Sequence, residues 1–140
     1  MEKARPIQLQ AIDHIVLRVV DLPKMLAFYC DILGCVVERE VAEFGLTQLR
    51  AGSALIDLVT VDSKLGRQGG KAPEQEGRNL DHFCLQITPK DEQEILDFLI
   101  QHGVMVEAFA NRYGAQGFGR SIYLSDPEGN TVELKPENFD

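Results

Sequence analysis

The chain lacks cysteine pairs. Cys30, Cys35 and Cys84 are odd in number and no two have CxxC spacing, which excludes a disulfide framework and the usual thiolate zinc site. They read as buried free thiols packed as small hydrophobes, in keeping with a reducing compartment. No run of 18 apolar residues exists, so no membrane-crossing helix is expected, and the opening MEKARPIQLQ has no apolar stretch of the secretory kind. Nor is there an excess of positive charge. Asp and Glu number 22 against 14 Lys and Arg, a net charge of -8, and such a surface repels nucleic acid phosphates and anionic membranes. These absences together describe a soluble, cytoplasmic protein whose partner is neither a nucleic acid nor a membrane.

What remains is one globular domain's worth of chain, 140 residues of which 44% are hydrophobic, enough for a core without staples. Histidine is scarce, and its placement is the first positive signal. Of three histidines, two open near-copies of one phrase, IDHIVLRVV at 12–20 and LDHFCLQIT at 80–88. The pattern around them also repeats. Residues 12–20 read as a strand; Asp21 is a helix N-cap, and Leu22, Met25, Leu26, Tyr29 and Leu33 keep helical spacing to a stop at Gly34. CVVEREV (35–41), LTQLR (46–50) and ALIDLVTV (54–61) follow as strands. After a glycine-rich linker over 62–79, LDHFCLQI begins again. Thr88 to Asp91 read as a helix start with Pro89 at its first position. The helix runs to about Gln101, and VMVEAF (104–109), RSIYLS (120–125) and TVELK (131–135) are the remaining strands.

The order is therefore βαβββ twice. Asp13-His14 matches Asp81-His82 at an offset of 68, Gly34 matches Gly103 at 69, and Val37-Glu38 matches Val106-Glu107 at 69. The expected fold is α+β, a single domain over 1–140. Module one covers about 11–61 and module two about 80–136, since neither half buries enough surface alone.

Strand alternation separates the faces. His14 goes with Val16 and Arg18, His82 with Cys84 and Gln86, Asp57 with Leu55 and Val59, and Glu133 with Thr131 and Lys135. The same rule turns Asp13 from His14 and Asp81 from His82, so neither pair is expected to hydrogen-bond. Two imidazoles and two carboxylates from matched strands make a divalent-metal site of His14, His82, Glu133 and Asp57, with donors suited to Ni, Zn, Co, Mn or Fe. His102, at a helix C-terminus, reads as structural.

These stretches, with SIYLSDPEGNTVEL near the end, resemble the vicinal oxygen chelate superfamily, which includes glyoxalase I, extradiol dioxygenases and bleomycin-resistance proteins. The resemblance covers about residues 11 to 136. It implies two tandem βαβββ modules whose mixed sheets form a cup around a metal, commonly in dimers, hence a homodimer here. By position the family's ligands fall on His14, His82 and Glu133, with a fourth on Asp57, where glyoxalase I and its relatives usually carry the longer Glu or Gln. It also implies a lyase or isomerase of glyoxalase type, in which the metal stabilises an enediolate of a small substrate with vicinal oxygens and Glu133 moves the proton. Arg18 lies in a segment resembling one where bacterial glyoxalase I binds its substrate. NRYGAQGFG (111–119) departs from the glyoxalase I loop. A second reading is an Fe(II) extradiol dioxygenase, with Tyr123 at the place of its active-site tyrosine. A third is a non-catalytic binding protein of the resistance type. Arg18, Leu49, Gln86, Tyr113 and Phe118 are the expected pocket residues, and Glu133 and Tyr123 the catalytic pair.

Overall fold

The structure is a computed structural model that describes residues 5–138; residues 1–4 and 139–140 of the expected domain lie outside the described residues. Two four-stranded mixed sheets are built in the same way. In the first, β1 (His14–Val19) runs parallel to β4 (Ala54–Thr60), which pairs antiparallel with β3 (Leu46–Ala51), and β3 with β2 (Val36–Val41). In the second, β5 (Phe83–Ile87) runs parallel to β8 (Thr131–Pro136), followed by β7 (Gly117–Ser125) and β6 (Ala110–Gly114). The order is edge, centre, centre, edge in each, and β4 and β8 hold equivalent central places.

The helices follow their sequence signals, with two adjustments. Helix α1 is α-helical only over Leu22–Leu26 and continues as a π-helical segment over Ala27–Ile32, in which consecutive Phe28 and Tyr29 are both buried. Asp21 caps it as expected, its carboxylate accepting from the Lys24 N–H. Helix α2 spans Glu92–Gln101 and is capped by Asp91, so Pro89 lies before the helix rather than at its first position. Both helical segments end at a glycine with positive φ, Gly34 at 86° and Gly103 at 73°, the left-handed turn that glycine adopts without strain.

One strand is displaced. VMVEAF was expected to form the strand after α2, but Val106 makes only an isolated bridge to Leu124, and the true β6 begins at Ala110. The first module shows why. There β2 carries a bulge between Val37 and Arg39, and Val37-Glu38 is the pair that matches Val106-Glu107. A one-residue bulge in the first copy has become a break in the second, and the strand resumes within NRYG, formerly taken for loop.

Leu17, Val19, Leu49, Ile56 and Leu58 of the first sheet share one buried cluster with Met25, Phe28 and Tyr29, and with Leu99, Ile122, Leu124, Val132 and Leu134 of the second module. Burial of each such side chain contributes about 1.5–3 kcal/mol, and neither module could assemble the cluster alone. The apolar faces of both sheets are thereby turned inward, which leaves their mixed faces open.

The modules are joined by more than grease. The Tyr29 hydroxyl donates to Asp126 Oδ2 at 2.7 Å, and the same buried carboxylate accepts from the Glu128 and Asn130 N–H groups and from Asn130 Nδ2. Glu128 in turn accepts from the N–H groups of Val20 and Asp21 at 2.7–2.9 Å. Asn79 bonds both the N–H and the C=O of Arg18, and Asn130 Oδ1. The turn Asp126–Asn130 between β7 and β8 is thus a clamp between the halves. No helix of the described residues is long and apolar enough to cross a membrane.

Candidate functional site

Register places the two carboxylates identically. Asp57 lies opposite Val16 on β1, two residues after His14, and Glu133 lies opposite Cys84 on β5, two residues after His82. Both are buried, at 4% and 6% exposure, because β4 and β8 are flanked on both sides by strands. Each histidine therefore sits one strand step from a shielded carboxylate.

In the second module the pair is close: His82 Nε2 is 3.4 Å from Glu133 Oε1. Tyr123, directly opposite Glu133 in the β7–β8 ladder, sets its ring edge-on to His82 with centroids 5.3 Å apart. Arg112 lies over that tyrosine, 4.2 Å from the ring centre, and donates to the Ser121 carbonyl and hydroxyl. A cavity of about 320 Å³ opens beside them, bordered by His82, Cys84, Gln86, Glu133, Lys135 and the hairpin tip from Tyr113 to Gln116. Cys84 was expected to be buried and is exposed to this cavity; the walls around it and the charge of Glu133 push its thiol up to about 11.

In the first module His14 feels Asp57. Its pKa is raised first by the hydrogen bond to Asp13 and then by the charge of Asp57. Asp57 Oδ2 accepts from Gln48 Nε2 at 3.0 Å, while its Oδ1 is buried with no hydrogen-bond partner. An orphaned carboxylate oxygen is costly, and it points to a cation that the described residues do not supply.

One expectation is overturned. Asp13 and Asp81 do engage their neighbours: His14 Nδ1 is 2.8 Å from Asp13 Oδ2, and His82 Nδ1 is 2.6 Å from Asp81 Oδ2. Strand alternation does not apply, because β1 starts at His14 itself and β5 starts at Phe83, so both aspartates lie on irregular backbone. The bond to His82 holds the Asp81 carboxyl below its usual range. The consequence is chemical. An Nδ1–H held by a carboxylate fixes the tautomer in which Nε2 is the free donor to a metal, the usual support of ligating histidines. The donor set fits a divalent ion in type and in orientation.

It does not meet in one place. Among the described residues no three His, Cys, Asp or Glu side chains converge; the chain carries two half-sites, His14 with Asp57 and His82 with Glu133. The other expected pocket residues also divide. Gln86 and Tyr113 border the cavity, Tyr113 from its rim with the ring against Phe118, whereas Leu49 is fully buried on the core face of β3. Arg18, expected to meet substrate, is engaged elsewhere: its guanidinium donates to the carbonyls of Gly66, Gly70 and Lys71 and so organises the linker. His102 caps α2, its Nδ1 2.8 Å from the Phe98 carbonyl.

A sequence profile of the glyoxalase/bleomycin resistance protein/dioxygenase superfamily matches residues 11–134. The chain belongs to this superfamily. Among its relatives, a catechol-2,3-dioxygenase of Bacillus subtilis is 27% identical over 119 residues, covering 84% of this chain but only 38% of that enzyme, so the chain spans well under half of its length. The virulence protein STM3117 of Salmonella typhimurium is 27% identical over 129 residues, 88% of this chain and 81% of that protein. Its crystal structure superposes with a TM-score of 0.74 over 94% of this chain and all of the other. An integron cassette protein from Vibrio cholerae reaches 0.73 at 26% identity, over 94% and 98% of the two chains. The superfamily takes its name from glyoxalases, resistance proteins and dioxygenases, and its two-sheet fold is the one described above.

Proposed function

We propose that this superfamily member is a divalent-metal-dependent lyase or isomerase of glyoxalase type, acting as a homodimer on a small molecule with vicinal oxygens. The observation that carries the reading is the His82–Glu133 pair, 3.4 Å apart with the other ring nitrogen already held by Asp81. His14, His82 and Glu133 would hold the ion, with Asp57 as the fourth donor through its unpartnered Oδ1. Bound there, a divalent ion such as Ni, Zn, Co, Mn or Fe would act as a Lewis acid toward the substrate oxygens.

The chain's own residues would do the rest. Glu133, shielded from water, takes a proton from the carbon next to the polarised carbonyl and returns it to the neighbouring carbon. Tyr123, opposite it in register, would hold the His82 ring in place by its edge-on contact. Gln86, two residues further along β5 than Cys84, offers an amide to the substrate's far end.

The dimer follows from the half-sites. Both mixed sheet faces are open in one chain, with Val16 at 49% and Val36 at 65% exposure on the first sheet and Cys84 exposed on the second, and the leading segment exposes Ile7, Leu9 and Ile12. Apolar side chains so arranged favour covering by a second copy, which would bring the His14–Asp57 half of one chain to the His82–Glu133 half of the other.

A dioxygenase holding Fe(II) with the same two histidines and Glu133 is the second reading, supported by the Tyr123–His82 contact. It lacks an acid-base histidine, since the third histidine of the chain, His102, is tied to the end of α2. A resistance-type binding protein would leave the donors idle. Metal analysis of protein purified without chelators decides first: about one ion per chain is expected, lost in both His82→Ala and Glu133→Ala. Protein that takes up none of these five metals would refute both enzyme readings. Hemithioacetal turnover against catechol-dependent oxygen uptake then separates isomerase from dioxygenase.

A further inference from the structure

Lys135 is buried at 7% exposure on β8, two residues beyond Glu133 and on the same mixed face. Among the described residues its ammonium has neither a hydrogen bond nor an ion pair. Its stem crosses two glycines of the facing hairpin: a Cβ on Gly119 would stand 2.7 Å from Lys135 Nζ, and one on Gly114 would stand 3.1 Å from Cδ and Cε. The hairpin is bare where the lysine lies. Gln86 is its register partner on β5, and the other cation on this wall, Arg112, is occupied by Tyr123 and Ser121. The stem is buried and the residue borders the open cavity beside His82 and Glu133, with no carboxylate or carbonyl of the described residues bonded to its ammonium.

We propose that Lys135 is an anion anchor that binds a carboxylate of the substrate. The inference rests on the cup being the substrate site. Its geometry sets the substrate class: Lys135 and Glu133 are two strand residues apart, roughly 6–7 Å, so the carboxylate lies about that far from the reacting oxygens. The neighbours choose the charge. In the metal-free protein, one ammonium, a neutral amide at Gln86 and the negative Glu133 complement a monoanion; a phosphate dianion would meet repulsion with too little positive charge to offset it.

The experiment uses metal-free full-length protein, so it stands or falls apart from metal uptake. Amide resonances of Gly114 and Gly119 are followed while butyrate, its neutral isostere butyramide, or inorganic phosphate is added. Butyrate should give saturable shifts and butyramide none, with butyrate binding weakened roughly tenfold or more in Lys135→Met and largely kept in Lys135→Arg. A structural role is separated by stability. Lys135→Met keeps the stem's packing over the two glycines and should leave Tm nearly unchanged, whereas a lysine paired within a dimer would make the same variant less stable. Equal butyrate binding in wild type and Lys135→Met, equal binding of butyramide, tighter binding of phosphate, or a lowered Tm would each overturn the assignment.

Discussion

Replacing Tyr29 by phenylalanine tests the clamp between the modules. The phenol is fully buried and donates 2.7 Å to Asp126, so Tyr29→Phe keeps the ring's packing and deletes one of the four bonds held by a buried carboxylate. Hydrogen bonds to charged groups contribute about 1.5–3 kcal/mol. In a domain of this size that lowers Tm by about 5–9 °C. The phenol also links stability to pH. Burial first, then the charge of Asp126 and the hydrogen bond to it, raise the Tyr29 pKa above 10 in the folded protein. In the unfolded chain tyrosine ionises near its ordinary value of about 10. A group with a raised folded pKa contributes fully below the unfolded pKa and loses that contribution as pH rises beyond it, here by about 1.4 kcal/mol per pH unit. Phenylalanine has no such dependence. Urea unfolding of both proteins at pH 8 and pH 11 should therefore show a gap that narrows by about 1.4 kcal/mol at the higher pH. The other tyrosines cancel in the comparison. A gap of equal size at both pH values would refute the reasoning.

Mixing His14→Ala with His82→Ala chains under exchange conditions should restore metal binding to half of the sites in mixed dimers, because one of their two cups then has all its donors; titration with metal reads this, and no restoration would place the cup within one chain. Gly129→Ala should cost about 1–2 kcal/mol by chemical denaturation, since φ is +84° in the clamp turn although the space beside it is open. Gly66→Ala should destabilise by more than about 2 kcal/mol, as its Cβ would meet the Thr60 carbonyl. Breaking the exposed Arg120–Glu92 pair with Glu92→Ala should leave the thermal midpoint nearly unchanged.

Much of this was legible in the chain because the duplication writes it twice. Asp-His at 13–14 and 81–82, with Asp57 and Glu133 on matched strands, named two elements per module and the donors they carry. Three things were not. The offset that matched Val37-Glu38 to Val106-Glu107 was real, yet pattern alone does not reveal that a bulge in one copy is a break in the other, so the expected strand starts six residues before the observed β6. Strand alternation misjudged Asp13 and Asp81 because it assumes regular backbone, and both stand where the strand has not begun. Arg18 and Lys135 are both cations on mixed faces; only the loop carbonyls around one and the bare glycines beside the other distinguish them. Such contacts join residues 16 to 53 positions apart, beyond the reach of local spacing.

The clamp has a consequence for how the chain can be cut. Tyr29 with Asp126, Glu128 with the Val20 and Asp21 N–H groups, and Asn79 with Arg18 tie the halves directly, and the linker between them is largely exposed from Glu74 to Arg78. Proteolytic nicking there would leave two fragments that stay together and keep the core closed. The covalent link is thus dispensable once folding is done, and a split or circularly permuted chain opened at this point should assemble the same two sheets.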